Sequence, residues 1–299
     1  MPLACCICAP LGGRAFSFAF AAAPRPTLVA MLFSDIATSR RLERAEGFAC
    51  SQHAEARRRL YPESGAGWIQ CGGAFAVFDG VDSPITQTFG LGIFEELTAV
   101  TLDKIEAFFR DRGAPVFHEV SPFAGAEAYA LLCARGYRPV ELSNVVFQEV
   151  IETASVEPNK ISVRVVNPGE VKPWSETSAK GWSHDHPEFA DLMLELGEVT
   201  AAREHTICFL AELDGTPGAT GVLCLHEGVA LFGGSATVPE LRRRGLQGAL
   251  LRERMRYAFA HGCHLAMMAA MPGSNSQRNA ERAGFSIAYT RTKWQLMTS

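Results

Sequence analysis

From residue 161 to 166 apolar and polar positions alternate, the period of a strand with one buried face. Helical spacing takes over at about 170–180 and again at 189–204. Residues 206–213 and 220–225 then read as a hairpin around Asp214-Gly215, a pair suited to positive φ. An apolar run at 229–238 leads into an Arg- and Gly-rich turn. An amphipathic helix follows at 246–260, closed by His261-Gly262. A second apolar run at 264–271, a Pro-Gly turn, a short helix at 276–283, Gly284-Phe285 and a strand at 286–296 complete this half.

The first half follows the same order. A long helical stretch at 36–60 precedes residues 74–78 and 85–91, which flank Asp79-Gly80 as a hairpin. A helix closed by Gly113, an apolar strand at 116–120, a Pro-containing turn, a short helix and a strand at 141–150 come next. Gly136-Tyr137 and Gly284-Phe285 stand 148 residues apart, one domain length, so the chain reads as a tandem duplication. Linker composition at 153–160, including Glu157-Pro158-Asn159, separates a domain at 31–152 from one at 160–299. Residues 1–30 are rich in Ala, Pro and Phe without periodicity, and a disordered or loosely packed tail is expected there. Little basic character precedes the apolar stretch at 15–23, which argues against a signal peptide.

Composition narrows the partners. A chain of 299 residues that is 47% hydrophobic can bury two cores. A net charge of −4 provides no broad basic surface for nucleic acid. No apolar stretch approaches the roughly 20 residues of a membrane span. Nine irregularly spaced cysteines fit reduced thiols in the cytoplasm, with Cys133, Cys208 and Cys224 in apolar runs as core residues.

The chemistry concentrates at 238–251. Strand, tight turn and helix aim several backbone N–H groups and the positive end of a helix dipole at one point, a site for phosphate or pyrophosphate. Arg242 and Arg244 add charge beside it, and Gly245 lets a ligand approach the backbone. Neither GxxxxGK[ST] nor a GxGxxG after a first strand occurs, which excludes a Walker loop and a dinucleotide fold. With Arg242, Gly245 and Gln247 at its key positions, the stretch resembles the Arg/Gln-x-x-Gly-x-Gly/Ala signature of the GNAT acetyltransferase superfamily. Gln247 departs from the usual Gly or Ala, and Gly248 follows it at once.

The resemblance covers 160–296 and implies a fold class: α/β (α+β), two tandem GNAT-like domains, each a mixed, mostly antiparallel twisted sheet flanked by helices. It also implies a splay between the fourth and fifth strands and acetyl-CoA as cosubstrate. The pantetheine arm would add along Ser235, Ala236, Thr237 and Val238. The pyrophosphate would lie on Arg242, Arg243, Arg244, Gly245, Leu246, Gln247, Gly248 and Ala249. Asn275, Ser276 and Asn279 would line the arm toward the sulfur. In the first half the matching helix is expected to open at Phe94-Glu95-Glu96-Leu97, and acidic residues there repel a pyrophosphate. That domain is therefore expected not to bind CoA and to wall the acceptor pocket or support its neighbour.

Acyl transfer to an amine needs a held thioester, a polarised carbonyl and removal of a proton from the ammonium. Many members of the superfamily place a Tyr four residues before the Gly of the Gly-aromatic pair; here that position is Ala280. Residues 229–238 contain no carboxylate or His, so the usual strand Glu is missing too. His184, Asp185 and His186 are the candidate proton acceptors, because an imidazole titrates near neutrality. His226 and Glu227 are more distant candidates, and Ser276 is a polar group for the sulfur. Two His at i, i+2 without partner ligands make no metal site, and no metal is expected. The reading is a cytoplasmic N-acetyltransferase, monomer or homodimer, acting on a small-molecule or peptide amine, with no nucleic acid or membrane partner. The alternatives are a non-catalytic acyl-CoA-binding sensor and a protein-interaction module on the same scaffold.

Overall fold

The computed structural model describes residues 33–153, 160–184 and 187–297. Helix α1 (Ile36–Leu60) starts at Asp35, whose side chain accepts from the Thr38 amide at 2.7 Å, and ends with Arg57, Arg58 and Arg59 in its last turn. β1 (Gly67–Cys71) and β2 (Ala74–Phe78) form a hairpin through Gly72-Gly73, both at positive φ. β3 (Gln87–Phe89), α2 (Ala99–Arg110), β4 (Phe117–Val120), α3 (Gly125–Ala134) and β5 (Tyr137–Glu149) complete the first half. The second runs β6 (Ile161–Val165), α4 (Val171–Trp182), α5 (Ala190–Ala201), β7 (Thr206–Leu213), β8 (Thr216–His226), β9 (Val229–Thr237), α6 (Leu246–Ala260), β10 (Leu265–Ala270), α7 (Asn275–Arg282) and β11 (Ser286–Leu296). The expected tail at 1–30 and most of the linker, residues 154–159, lie outside the described residues.

Local chemistry moves three boundaries. Residues 74–78 and 87–89 do pair antiparallel, but β1 adds a strand ahead of them. α2 begins at Ala99 rather than Phe94, because the Thr98 hydroxyl caps it by accepting from the Thr101 amide at 3.2 Å. Glu95 and Glu96 thus precede the helix instead of opening it. α7 begins at Asn275 rather than at 276, because the Ser274 hydroxyl caps it by accepting from the Gln277 amide.

The eleven strands of the described residues join one sheet in the order β1-β2-β3-β4-β11-β5-β10-β9-β8-β7-β6. The pairs β3–β4 and β9–β10 are parallel, and the other pairs are antiparallel. The order of β1–β5 recurs in β7–β11: hairpin, third strand, helix, parallel fourth strand, short helix, last strand. The two last strands have changed places. β5 lies against β10, β11 lies against β4, and the two pair with each other from Ser286↔Phe147 to Leu296↔Tyr137. Each half supplies the strand beside the other's parallel pair, and residues 32–299 form one compact unit.

Helices cover both faces. Leu42 and Ala45 of α1 pack on Val145, Phe147, Val229, Met267 and Tyr289. Leu250, Leu251 and Met255 of α6 pack on the opposite face, against Val146, Phe209, Leu223, Phe232 and Met268. Trp174 of α4 lies on the α1 side, with its indole N–H donating to Phe209 O at 3.0 Å. α2 and α3 cover the first half on the α6 side.

Under α1 lies a buried charge cluster. Arg291 of β11, 2% exposed, pairs with Glu43, Glu46 and Glu119, and the Tyr289 hydroxyl donates to Glu43 at 2.8 Å. Burial pushes the Glu43 carboxyl up to about 7 against the pull of Arg291, with Glu46 and Glu119 adding to the rise. In the unfolded chain it ionises near 4.5, so the folded protein binds the extra proton and stability falls as pH rises from there to about 7. The span corresponds to about 3 kcal/mol. In Glu43→Gln this loss should be absent. Unfolding midpoints measured from pH 5 to 8 should fall for the parent protein and stay flatter for the variant; parallel curves would disprove the assignment.

Candidate functional site

β9 and β10 pair only from Leu265↔Val229 to Met267↔Leu231. Beyond that row they part. β9 stays with β8, and the end of β10 stays with β5, where Ala270 faces Asn144. The cause is a bulge: Thr220 and Val222 of β8 face Ala236 and Gly233 of β9, so β9 carries an extra residue and bends away. Gly234 sits in the bulge at φ +54, and a Cβ there would lie 2.6 Å from Val222 Cγ2. Gly234→Ala should therefore cost about 1–3 kcal/mol of stability. Urea unfolding with no change would show that the bend carries no strain. The result of the bend is a fork whose β9 wall is Phe232 to Thr237 and whose β10 wall is Met268 to Ala270.

The β9 wall runs straight into the Arg-rich turn. Pro239–Leu241 make one short helical turn, Arg242 is extended, Arg243 takes φ +62 and Gly245 φ +90. Gly245 is the N-cap of α6, with no side-chain cap and no acidic residue in the first turn. The first intrahelical bond reaching back to it is Ala249 N to Gly245 O at 3.1 Å, which leaves the amides of Leu246, Gln247 and Gly248 without helical acceptors. Arg242, Arg243 and Arg244 are all exposed around this end. Arg242 donates to Gly181 O and Thr237 O, which ties the turn to α4 and to the tip of β9. Gln247, the departure from the motif, turns its amide onto Ala236 O at 2.9 Å and Thr237 Oγ1 at 2.8 Å. Its bulk braces the strand tip instead of projecting over the helix end. Uncapped amides, surrounding guanidinium groups and an adjoining slot suit a diphosphate with a long arm.

α7 borders the β10 side. Asn275 and Ser276 are exposed and Asn279 is half-buried, whereas Ala280 is fully buried in the α6-side core. β5 brings Asn144 to the same place: its amide donates to Gln277 Oε1, and its carbonyl accepts from Thr290. Neither Asn144 nor Gln277 stood out in the sequence, because no local motif marks a strand that arrives from the other half. His184 is exposed in the turn after α4, close enough to Glu240 to join a backbone N–H and Lys180, as the weakest of the three, in holding that carboxyl below its usual range. That puts His184 beside the turn before Arg242. Asp185 and His186 lie outside the described residues. His226 is occupied elsewhere, stacked on Phe48 of α1 with ring centres 3.9 Å apart, and burial lowers its pKa. Among the described residues no group of His, Cys, Asp and Glu is placed to hold a metal, and no helix is long and apolar enough to cross a membrane.

The matching place in the first half is built differently. β3 and β4 meet only at Thr88↔His118. The chain then turns at Gly90 and Gly92, buries Leu91 and Leu97 in the core, and has Ile93 O bonded by Arg40. The following helix is capped by Thr98. The Thr98 hydroxyl takes the Thr101 amide, so fewer amides are left open in its first turn than in that of α6.

Residues 171–285 match the family model described as Acetyltransferase (GNAT) family. No curated protein sequence matches the chain. A GCN5-related N-acetyltransferase from Kribbella flavida has a similar structure, with TM-score 0.60 at 17% identity over 85% of this chain and 96% of its own. A second, from Sphaerobacter thermophilus, gives 0.50 at 17% over 85% and 93%. A tandem GNAT protein from the clavulanic acid biosynthesis pathway gives 0.53 at 13% over 76% and 79%. The fold is common to all of them.

Proposed function

We propose that this chain, whose residues 171–285 form an acetyltransferase domain of the GNAT family, moves an acetyl group from acetyl-CoA to an amine by direct attack in a ternary complex. The observation that carries this is the uncapped start of α6, ringed by Arg242, Arg243 and Arg244 and opening into the β9–β10 fork. The amides from Leu246 to Gly248 and the arginines hold the diphosphate. The edge of β9 at Ser235, Ala236 and Thr237, which β10 leaves unpaired, takes the pantetheine arm as an added strand, and Asn279 lines the arm from α7.

Within the fork the amine nitrogen bonds to the thioester carbon, the carbon–sulfur bond breaks, sulfur leaves as thiolate, and the proton shed by the acylated nitrogen ends on that sulfur. The ammonium must first lose a proton, which His184, or Asp185 or His186 next to it in sequence, passes to water. No hydroxyl stands at position 280 to protonate the thiolate, and a thiolate leaves without one. α1 of the first half covers the sheet next to the fork, so that half, a degenerate copy without a cofactor loop, walls the acceptor side. The acceptor is a small-molecule or peptide amine.

A second reading, a non-catalytic acyl-CoA sensor, is favoured by the absence of any carboxylate or His on β9 and by the burial of Ala280. Thiol release from acetyl-CoA across a panel of small amines, amino acids and peptides separates the two. Turnover with any acceptor supports the transferase; tight CoA binding with no turnover on the whole panel supports the sensor.

A further inference from the structure

Arg254 of α6 is a buried cation with an unusual set of partners. It is 1% exposed, and among the described residues no carboxylate lies within ion-pair distance of it. Its nitrogens donate to Leu250 O at 3.2 Å, Val222 O at 3.0 Å, Gly233 O at 3.3 Å and Ser235 Oγ at 3.1 Å, and its guanidinium stands 5.0 Å over the Phe232 ring. Gly221 makes the room: a Cβ there would lie 2.9 Å from the guanidinium carbon. Burying an unpaired charge is costly, and an apolar side chain of similar volume would serve packing better. Burial pulls its pKa down to about 9, which leaves it charged at neutral pH.

The partners locate the charge. The guanidinium reaches down from α6, and one of its nitrogens is shared by Val222 O and Gly233 O, whose residues face each other across β8 and β9, so Gly233 O is drawn toward β8. In a trans peptide the C=O and the following N–H point in opposite directions. With Gly233 O held on the β8 side, the Gly234 N–H is turned toward the fork. A carbonyl bonded to a cation makes the N–H of the same peptide a stronger donor, and a site with little water magnifies the effect.

We infer that Arg254 is a positioning residue for acyl transfer, polarising the Gly233–Gly234 peptide so that the Gly234 N–H stabilises negative charge on the thioester oxygen. The inference rests on the acetyltransferase reading above. As the amine nitrogen bonds to the carbonyl carbon, the π pair moves onto oxygen. It returns as the carbon–sulfur bond breaks and sulfur takes the bonding pair. Arg254 supplies field and a fixed donor, and it exchanges no proton.

Infrared difference spectra of isotope-labelled acetyl-CoA bound to the full-length protein test this without an acceptor. Bound to the parent protein, the thioester C=O band should shift to lower frequency than in water. Arg254→Met should lose at least half of that shift while the CoA affinity from calorimetry changes by less than about fivefold, roughly 1 kcal/mol. Arg254→Lys, which keeps the charge but not the fork of donors, should retain an intermediate shift. An unchanged band in Arg254→Met overturns the inference. If Arg254→Met does not fold, Arg254→Lys decides: a reduced shift supports the role and an unchanged one refutes it. No binding of acetyl-CoA to the parent protein would instead refute the acetyltransferase reading.

Discussion

Exchanging Arg242 and Arg244 together for Glu should weaken CoA binding by at least about a hundredfold, close to 3 kcal/mol. Each guanidinium–phosphate contact is charge-assisted and worth about 1.5–3 kcal/mol. Glu adds repulsion where attraction stood, and the open amides of Leu246, Gln247 and Gly248, with Arg243, sustain the residual affinity. Arg242 also ties Gly181 O and Thr237 O to the turn. Arg242→Gln with Arg244→Gln, which keeps donors for those ties, should therefore lose less than the double Glu variant. Calorimetry with CoA at fixed ionic strength measures both, since these exposed charges are screened by salt. Unaltered affinity in the Glu pair would place the diphosphate elsewhere and remove the basis of the functional proposal.

Arg291→Met should destabilise the protein by about 3–5 kcal/mol, the expected cost of leaving buried charge without its partner. Glu43, Glu46 and Glu119 all turn to this one guanidinium. Without it the buried carboxyls of Glu43 and Glu119, already raised by burial, must take up protons, so the loss should be larger at pH 8 than at pH 5. Denaturant unfolding at the two pH values measures both effects. A loss below about 1 kcal/mol, the value of an exposed ion pair, would mean that the cluster is far better hydrated than its burial indicates.

The turn at 242–248 was legible in the sequence because its information is local: arginines and a glycine between an apolar run and a helical pattern. The splay of β9 from β10 followed only from the family resemblance, and the bulge at Gly234 that makes it was not singled out. Nor was Arg254 legible. Arg252, Arg254 and Arg256 alternate along α6 and read alike as solvated charge, and the gap that admits Arg254 is made by Gly221 on another strand. The exchange of β5 and β11 was illegible on similar grounds. Alternation at 141–150 and 286–296 announces which side chains are buried but not which strand lies alongside. α2 was misplaced because the hydrophobic spacing extends through Phe94 and Leu97, whereas the Thr98 cap sets the start. Asn144 and Gln277 meet only once a strand from the first half lies beside β10.

The crossing of β5 and β11 also constrains how the molecule is born. A ribosome releases residues 33–150 well before Ser286 to Leu296 exist, yet β4 needs β11 as its neighbour. Until translation reaches that point, the nascent first half exposes an unsatisfied edge, the kind of surface that chaperones shield and that promotes aggregation. The same wiring makes proteolytic cleavage between the halves insufficient to separate them, because each fragment would still be threaded into its sibling.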